Sequence, residues 1–137
     1  MSWLLDTCVV SELFRKRPEP AVVSWLEAHR GQCALSLVSV GEIQYGIERL
    51  PHGRNRNALQ HWFDGVCTQF SARTLGLDEA VWRNFGRLKA SLEVIGKKQD
   101  DIDLLLAASA HVHRLTMVTR NVRHFADTGI TLLNPWD

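Results

Sequence analysis

Short apolar runs, Ser2–Leu5, Cys33–Leu37, Thr116–Thr119 and Ile130–Leu133, alternate along this chain with longer segments whose apolar residues recur every three or four positions. A run of four or five residues without helical period reads as a strand, and the longer segments read as amphipathic helices. Strands separated by helices pair through crossovers, which leave neighbours parallel and place helices on both faces of the sheet. The expected architecture is α/β: a three-layer α/β/α sandwich around a mainly parallel central sheet.

Local signals place the boundaries. Asp6 and Thr7 are helix-start residues directly after the first run, and Val9, Val10, Leu13 and Phe14 follow at helical spacing. Pro20 opens a helix carrying Val22, Val23, Trp25 and Leu26, which Gly31 ends. Ser39 begins a helix with Ile43, Ile47 and Leu50 on one side, stopped around Pro51 and Gly53, and a further helix runs from Asn57 to Val66. Phe70 to Leu75 reads as β. From Asp78 onward, Val81, Phe85, Leu88, Leu92 and Ile95 form the strongest amphipathic pattern in the chain, with Gly96 as its stop. Ile102 to His113 is helical and so apolar through Leu104–Ala108 that it must lie against a sheet on much of its circumference. A short helix runs from Asn121 to Ala126.

The 137 residues are read as one domain spanning 1–137. With 45% hydrophobic and 23% charged residues, and no apolar run of bilayer length, a membrane protein is excluded by expectation. The amino-terminal segment lacks the basic stretch of a signal peptide and meets Asp6 early, so the expected compartment is the cytoplasm. Cys8, Cys33 and Cys67 contain no C-x-x-C pair and are read as small core residues. A net charge of +1 gives no global reason to bind nucleic acid. Basic groups exist locally, at Arg15-Lys16-Arg17, at Arg49 with Arg54 and Arg56, at Lys97-Lys98, and at Arg120 with Arg123. They become a phosphate track only where the fold gathers them on one face.

Three carboxylates and an amide, Asp6, Glu42, Asp103 and Asn121, each fall where an apolar, strand-like run hands over to a helix. In a parallel sheet the carboxyl ends of the strands share one edge, so these side chains would converge there. Each also has a local structural reading. Asp6 and Asn121 suit helix caps, Ser39-Val-Gly-Glu42 fits a capping box, and Asp103 suits the dipole of a helix start. Taken jointly they indicate a cluster. Three converging carboxylates raise each other's proton affinity, whereas a divalent cation reverses the sign of that interaction. Asp6, Glu42 and Asp103 are therefore candidate metal ligands, and an oxygen set without His or Cys at metal spacing favours Mg²⁺ or Mn²⁺ over zinc. His52, His61, His111, His113 and His124 are not read as ligands. No glycine-rich phosphate loop and no G-x-S-x-G elbow is present. The five tryptophans read as core or interface anchors.

Four motifs in this order, Leu4-Leu5-Asp6-Thr7-Cys8-Val9-Val10-Ser11-Glu12, Ser39-Val40-Gly41-Glu42, Asp103-Leu-Leu-Leu-Ala107-Ala108 and Val118-Thr119-Arg120-Asn121-Val122-Arg123-His124-Phe125, resemble the PIN-domain ribonucleases. More narrowly they are similar to the VapC or FitB-like toxins of type II toxin–antitoxin pairs, from Leu4 to the Asn134-Pro135-Trp136 ending. The resemblance implies a PIN-like fold, an acidic pocket holding Mg²⁺ or Mn²⁺, and hydrolytic cleavage of RNA. Carried over by residue, Asp6, Glu42 and Asp103 match the three central acids and Thr119 the hydroxyl residue beside them. Asn121 stands at the fourth acidic position, where a neutral amide holds a cation less firmly. Arg120 and Arg123 are candidates to hold RNA phosphates, and Asp101 is either an outer ligand or a cap. The same resemblance implies a cognate antitoxin that blocks the pocket, operator DNA bound only through that complex, and a homodimer. Leu13, Phe14, Trp25 and Leu26 serve either partner contact or the core. A non-catalytic PIN-like module would leave the acids without purpose. A phosphate-accepting receiver or a phosphatase would carry a second acid beside Asp6, where Thr7 and Cys8 stand instead.

Overall fold

Leu4 and Leu5, Ala34 and Leu35, and Met117 and Val118 are sequence neighbours that point to opposite sides of one sheet, as the two-residue period of a strand requires. Leu5, Leu35 and Val118 enter one buried cluster with Val9, Val22, Ile43, Ile47 and Phe63. Leu4, Ala34 and Met117 enter another with Leu105, Leu106, Ala107, Ala110 and Phe125. The sheet is thus apolar on both faces, which is why its strands are continuous apolar runs rather than alternating ones.

The computed structural model describes residues 1–137. In chain order the elements are β1 (Trp3–Leu5), α1 (Thr7–Glu12), α2 (Pro20–His29), β2 (Cys33–Ser36), α3 (Leu37–Glu48), α4 (Arg54–Phe70), β3 (Thr74–Leu75), α5 (Glu79–Val94), α6 (Asp101–His113), β4 (Thr116–Val118), α7 (Val122–Phe125) and β5 (Leu132–Leu133). The strands form one sheet of order β3-β2-β1-β4-β5, and every pairing is parallel. The helices lie on both sides, giving the expected sandwich. The chain moves outward from β1 in both directions, so the gap beyond the carboxyl ends of β1 and β4 is the topological switch point where crevices form in such sheets. No helix is long and apolar enough to cross a membrane.

Several boundaries differ from the sequence expectations. The third helix begins at Leu37, because Ser36 rather than Ser39 caps it: its Oγ accepts the Val38 N–H at 3.0 Å. Glu42 is therefore well inside α3 and no member of a capping box. The fourth helix starts at Arg54 and runs through Phe70, leaving only Thr74–Leu75 as strand where Phe70–Leu75 reads as β. Phe70 packs against the first cluster from the helix, so burial overrode its β preference. Asp103 follows a helix-to-helix connection, since no strand precedes α6. Asp78 does cap α5, accepting the Val81 N–H at 3.0 Å. Gly96, at φ +74°, ends that helix by letting the Lys97 N–H reach back to the Leu92 carbonyl at 2.8 Å.

Candidate active site

Asp6 leaves β1 and caps α1, its Oδ1 accepting the Thr7 N–H at 2.8 Å. Its other oxygen accepts the hydroxyl proton of Thr119 at 2.7 Å. Because β4 lies beside β1 in register, with Leu5 opposite Val118, the residue after each strand meets the other at the sheet edge. Both side chains are buried. Thr119 Oγ1 in turn accepts the Asn121 N–H at 2.9 Å, so a relay of donors fixes the Asp6 carboxylate. A buried carboxylate with satisfied oxygens keeps one orientation, a requirement for any ligand that must present its remaining lone pairs to an ion.

Glu42 comes from α3 and reaches the same crevice. Its Oε1 accepts the proton of Thr7 Oγ1 at 2.5 Å, and Thr7 also shares a hydrogen bond with Ser39 Oγ at 2.9 Å. Thr7 thus ties Asp6 to Glu42 through its backbone and its side chain. Burial raises the proton affinity of Glu42, the Thr7 bond opposes this, and the Asp6 and Asp100 charges add to it.

Asp103 projects from the first turn of α6. Burial first, and then the Asp6 charge, push its carboxyl from the ordinary 3.8 up to about 6; His124 works against this, while Asp100 and Glu42 add to it. His124 Nδ1 lies 3.5 Å from Asp103 Oδ2. Mutual repulsion among carboxylates is the expected signature of a site built for positive charge. Asp6, Glu42 and Asp103 therefore face one another electrostatically, although no three acidic, His or Cys side chains already meet at direct coordination distance. Magnesium requires no such cage, because it keeps several waters and takes one or two carboxylates directly. The donor set, hard oxygens with excess negative charge, fits such an ion.

Other candidates separate from this group. Asp101 points outward to Lys89 Nζ at 2.9 Å, while Asp100 caps α6 through the Ile102 N–H at 2.8 Å. Asn121 is exposed and its side chain makes no capping bond to α7, contrary to the cap reading; only its backbone joins the Asp6 relay. Arg120 and Arg123 are exposed. Cys8 Sγ sits 3.5 Å from Asp6 Oδ2, and burial together with the Asp6 charge pushes the thiol up to about 11. Three contributors escaped the sequence reading: Thr7, Asp100 and His124. Thr7 and Asp100 each stand within three positions of a candidate acid, a signal that was available; the approach of His124 to Asp103 depends on the packing of α7 against α6 and had none.

A family model described as PIN domain matches residues 3–130. The chain is 32% identical over 136 residues to a VapC ribonuclease, Y4jK, of Sinorhizobium fredii, covering 98% of this chain and 97% of that one. It is 32% identical over 135 residues to the toxin FitB of Neisseria gonorrhoeae, covering 97% of each. The solved structure of FitAcB from Neisseria gonorrhoeae superposes with a TM-score of 0.91 at 32% identity over 98% of both chains. That of FitAB bound to an IR36 DNA fragment superposes at 0.92 with 31% identity, over 98% of this chain and 96% of that one. Parallel sheet, switch-point acids and near-full-length relatives agree: the chain belongs to the PIN-domain family, beside its VapC and FitB-type toxins.

Proposed function

We propose that this protein is the toxin of a type II toxin–antitoxin pair and a metal-dependent endoribonuclease acting in the cytoplasm. The observation that carries the reading is the convergence of Asp6, Glu42 and Asp103 from three separate elements, with Thr7 bonded to two of them. These three would hold Mg²⁺ or Mn²⁺. Such an ion, when bound, polarises a phosphodiester and makes water a competent nucleophile near neutral pH. The chain's own residues do the rest. Thr119 and the Thr7 N–H orient Asp6, the Thr7 hydroxyl orients Glu42, and the relay from Asn121 holds Thr119 in turn. Arg120 and Arg123, both exposed, would neutralise flanking phosphates.

The partner surfaces follow the same reading. Leu13 and Leu26 line an apolar depression of about 160 Å³ with Val23 and Phe70, and Phe14 lines a second beside Glu42 with Ile43, Leu59 and Trp62. An antitoxin segment seated along these would cover the acids, and operator DNA would be bound through the antitoxin. Trp82, Val94 and Ile95, exposed on and just after α5, are left for a second copy of the chain. Sedimentation of the isolated protein as a monomer at micromolar concentration would overturn the dimer.

The test of the activity is cleavage of total RNA by the purified protein. Mg²⁺ or Mn²⁺ should support it and chelator should stop it. Asp6→Asn, Glu42→Gln and Asp103→Asn should each abolish it with circular dichroism unchanged. Full cleavage in chelator, or by any of these variants, overturns the mechanism.

A further inference from the structure

The Arg120 guanidinium carbon lies 5.3 Å from the centre of the Trp136 ring. Arg120 follows Thr119, whose hydroxyl bonds Asp6, so this stack stands at the rim of the acidic crevice. The ring is the fixed member. Asn134 Oδ1 accepts the Trp136 N–H at 2.9 Å, the Asp137 N–H returns to the Asn134 carbonyl at 3.3 Å, Pro135 is buried, and the indole packs on the cluster containing Leu5 and Val118.

A guanidinium stacked on an aromatic face is held through its plane, which leaves its N–H donors pointing outward along the edges. An ion pair does the opposite and occupies those donors. Arg15, Arg56 and Arg83 direct theirs to Glu12, Glu48 and Glu79, and Arg73 directs its own to the Cys33 carbonyl. Arg120 has no such partner. It is oriented and yet unoccupied. A second feature steadies the same region: buried Glu12 on α1 accepts the Glu19 N–H at 2.9 Å and Arg15 Nη1 at 3.2 Å. The Glu19 bond, then Arg15 and more weakly the Arg120 charge, hold the Glu12 carboxyl below its usual range. Arg15 thus pairs with this buried acid directly, while Arg120 acts on it only through its charge.

We propose that Trp136 is a positioning residue for RNA binding: its ring presents Arg120, donors free, to a backbone phosphate next to the acidic crevice. The inference rests on the nuclease reading for its substrate, and it separates Arg120 from Arg123, which no aromatic ring orients.

The test is fluorescence anisotropy of a labelled single-stranded RNA oligonucleotide with the full chain, in chelator so that nothing is cut, across a series of salt concentrations. Trp136→Ala should weaken binding about two- to fivefold, the range of a cation–π contact, and Trp136→Phe should restore part of the loss. Arg120→Ala should weaken binding further and lower the salt slope by about 0.7, the value for one phosphate contact on a single strand. The deciding comparison is Trp136→Ala made in the Arg120→Ala background, where it should cost nothing more. A merely structural tryptophan would cost the same in both backgrounds, and that result overturns the proposal. So does wild-type binding by Arg120→Ala, an exposed substitution that leaves the core alone. Should Trp136→Ala not fold, Arg120→Lys replaces it: this variant keeps the charge and loses the planar stack, and wild-type binding by it overturns the proposal. Coupled binding losses in a protein that cuts no RNA with metal would refute the nuclease reading while supporting this one. Cleavage by wild type with additive losses would do the reverse.

Discussion

Asp103→Asn should make the metal-free protein more stable at neutral pH, an unusual outcome for a change in a partly buried site. The Asp103 carboxyl is raised from 3.8 to about 6, chiefly by burial and then by the Asp6 charge. Folding therefore takes up a proton between about pH 4 and 6. The contribution of Asp103 is most favourable below the lower of these values and is lost as pH rises through the upper one. At about 1.4 kcal/mol for each tenfold change in proton affinity, the full shift corresponds to about 3 kcal/mol. The side chain is 24% exposed, and solvent relaxation around it brings the expected penalty to about 1–2 kcal/mol. Asparagine has no charge to repel. Urea unfolding followed by tryptophan fluorescence in chelator, at intervals from pH 4 to 8, should show the variant gaining about 1–2 kcal/mol over wild type above pH 7 and almost nothing near pH 4. Added Mg²⁺ should stabilise wild type more than the variant. A variant less stable than wild type at pH 7.5, or a difference that does not change with pH, would refute the picture of mutually repelling carboxylates.

Thr119→Val keeps the shape of a buried side chain but removes the donor to Asp6 Oδ2, so it should cost about 1–3 kcal/mol in urea unfolding and depress cleavage, with Thr119→Ser restoring both. Ser36→Ala removes the cap of α3 and should cost about 1 kcal/mol by the same measurement; no loss would mean the helix starts elsewhere. Asp101→Asn breaks only an exposed pair with Lys89, so cleavage rates should stay within about twofold of wild type. A loss as deep as that of Asp103→Asn would identify Asp101 as the ligand instead.

The sheet was legible because four of its strands carry a short-range signal, apolar runs with no helical period, while Phe70–Leu75 shrank to the two-residue β3. The same held for α5, whose Asp78 start and Gly96 stop are both local. The start of α3 was not legible, because Ser36 and Ser39 are equally competent caps and the choice is made by how far β2 must run to pair with β3. Asp6 could be placed from its own neighbourhood. Glu42 does stand on the helix that follows β2, though deeper inside it than a start at Ser39 implies, whereas Asp103 follows a helix-to-helix connection that no strand signal describes. Thr119 entered only through resemblance. Its bond to Asp6 spans 113 positions and depends on β1 pairing with β4, which no local pattern encodes. The Arg120–Trp136 stack is likewise a product of tertiary packing.

Titration calorimetry of the metal-free protein with Mn²⁺ asks whether the three acids share one ion. Wild type should show saturable binding, and Asp6→Asn, Glu42→Gln and Asp103→Asn should each lower the affinity at least about tenfold while remaining folded. Wild-type affinity in any one of the three, or no binding by the folded wild-type protein, would contradict a common site and the chemistry built on it.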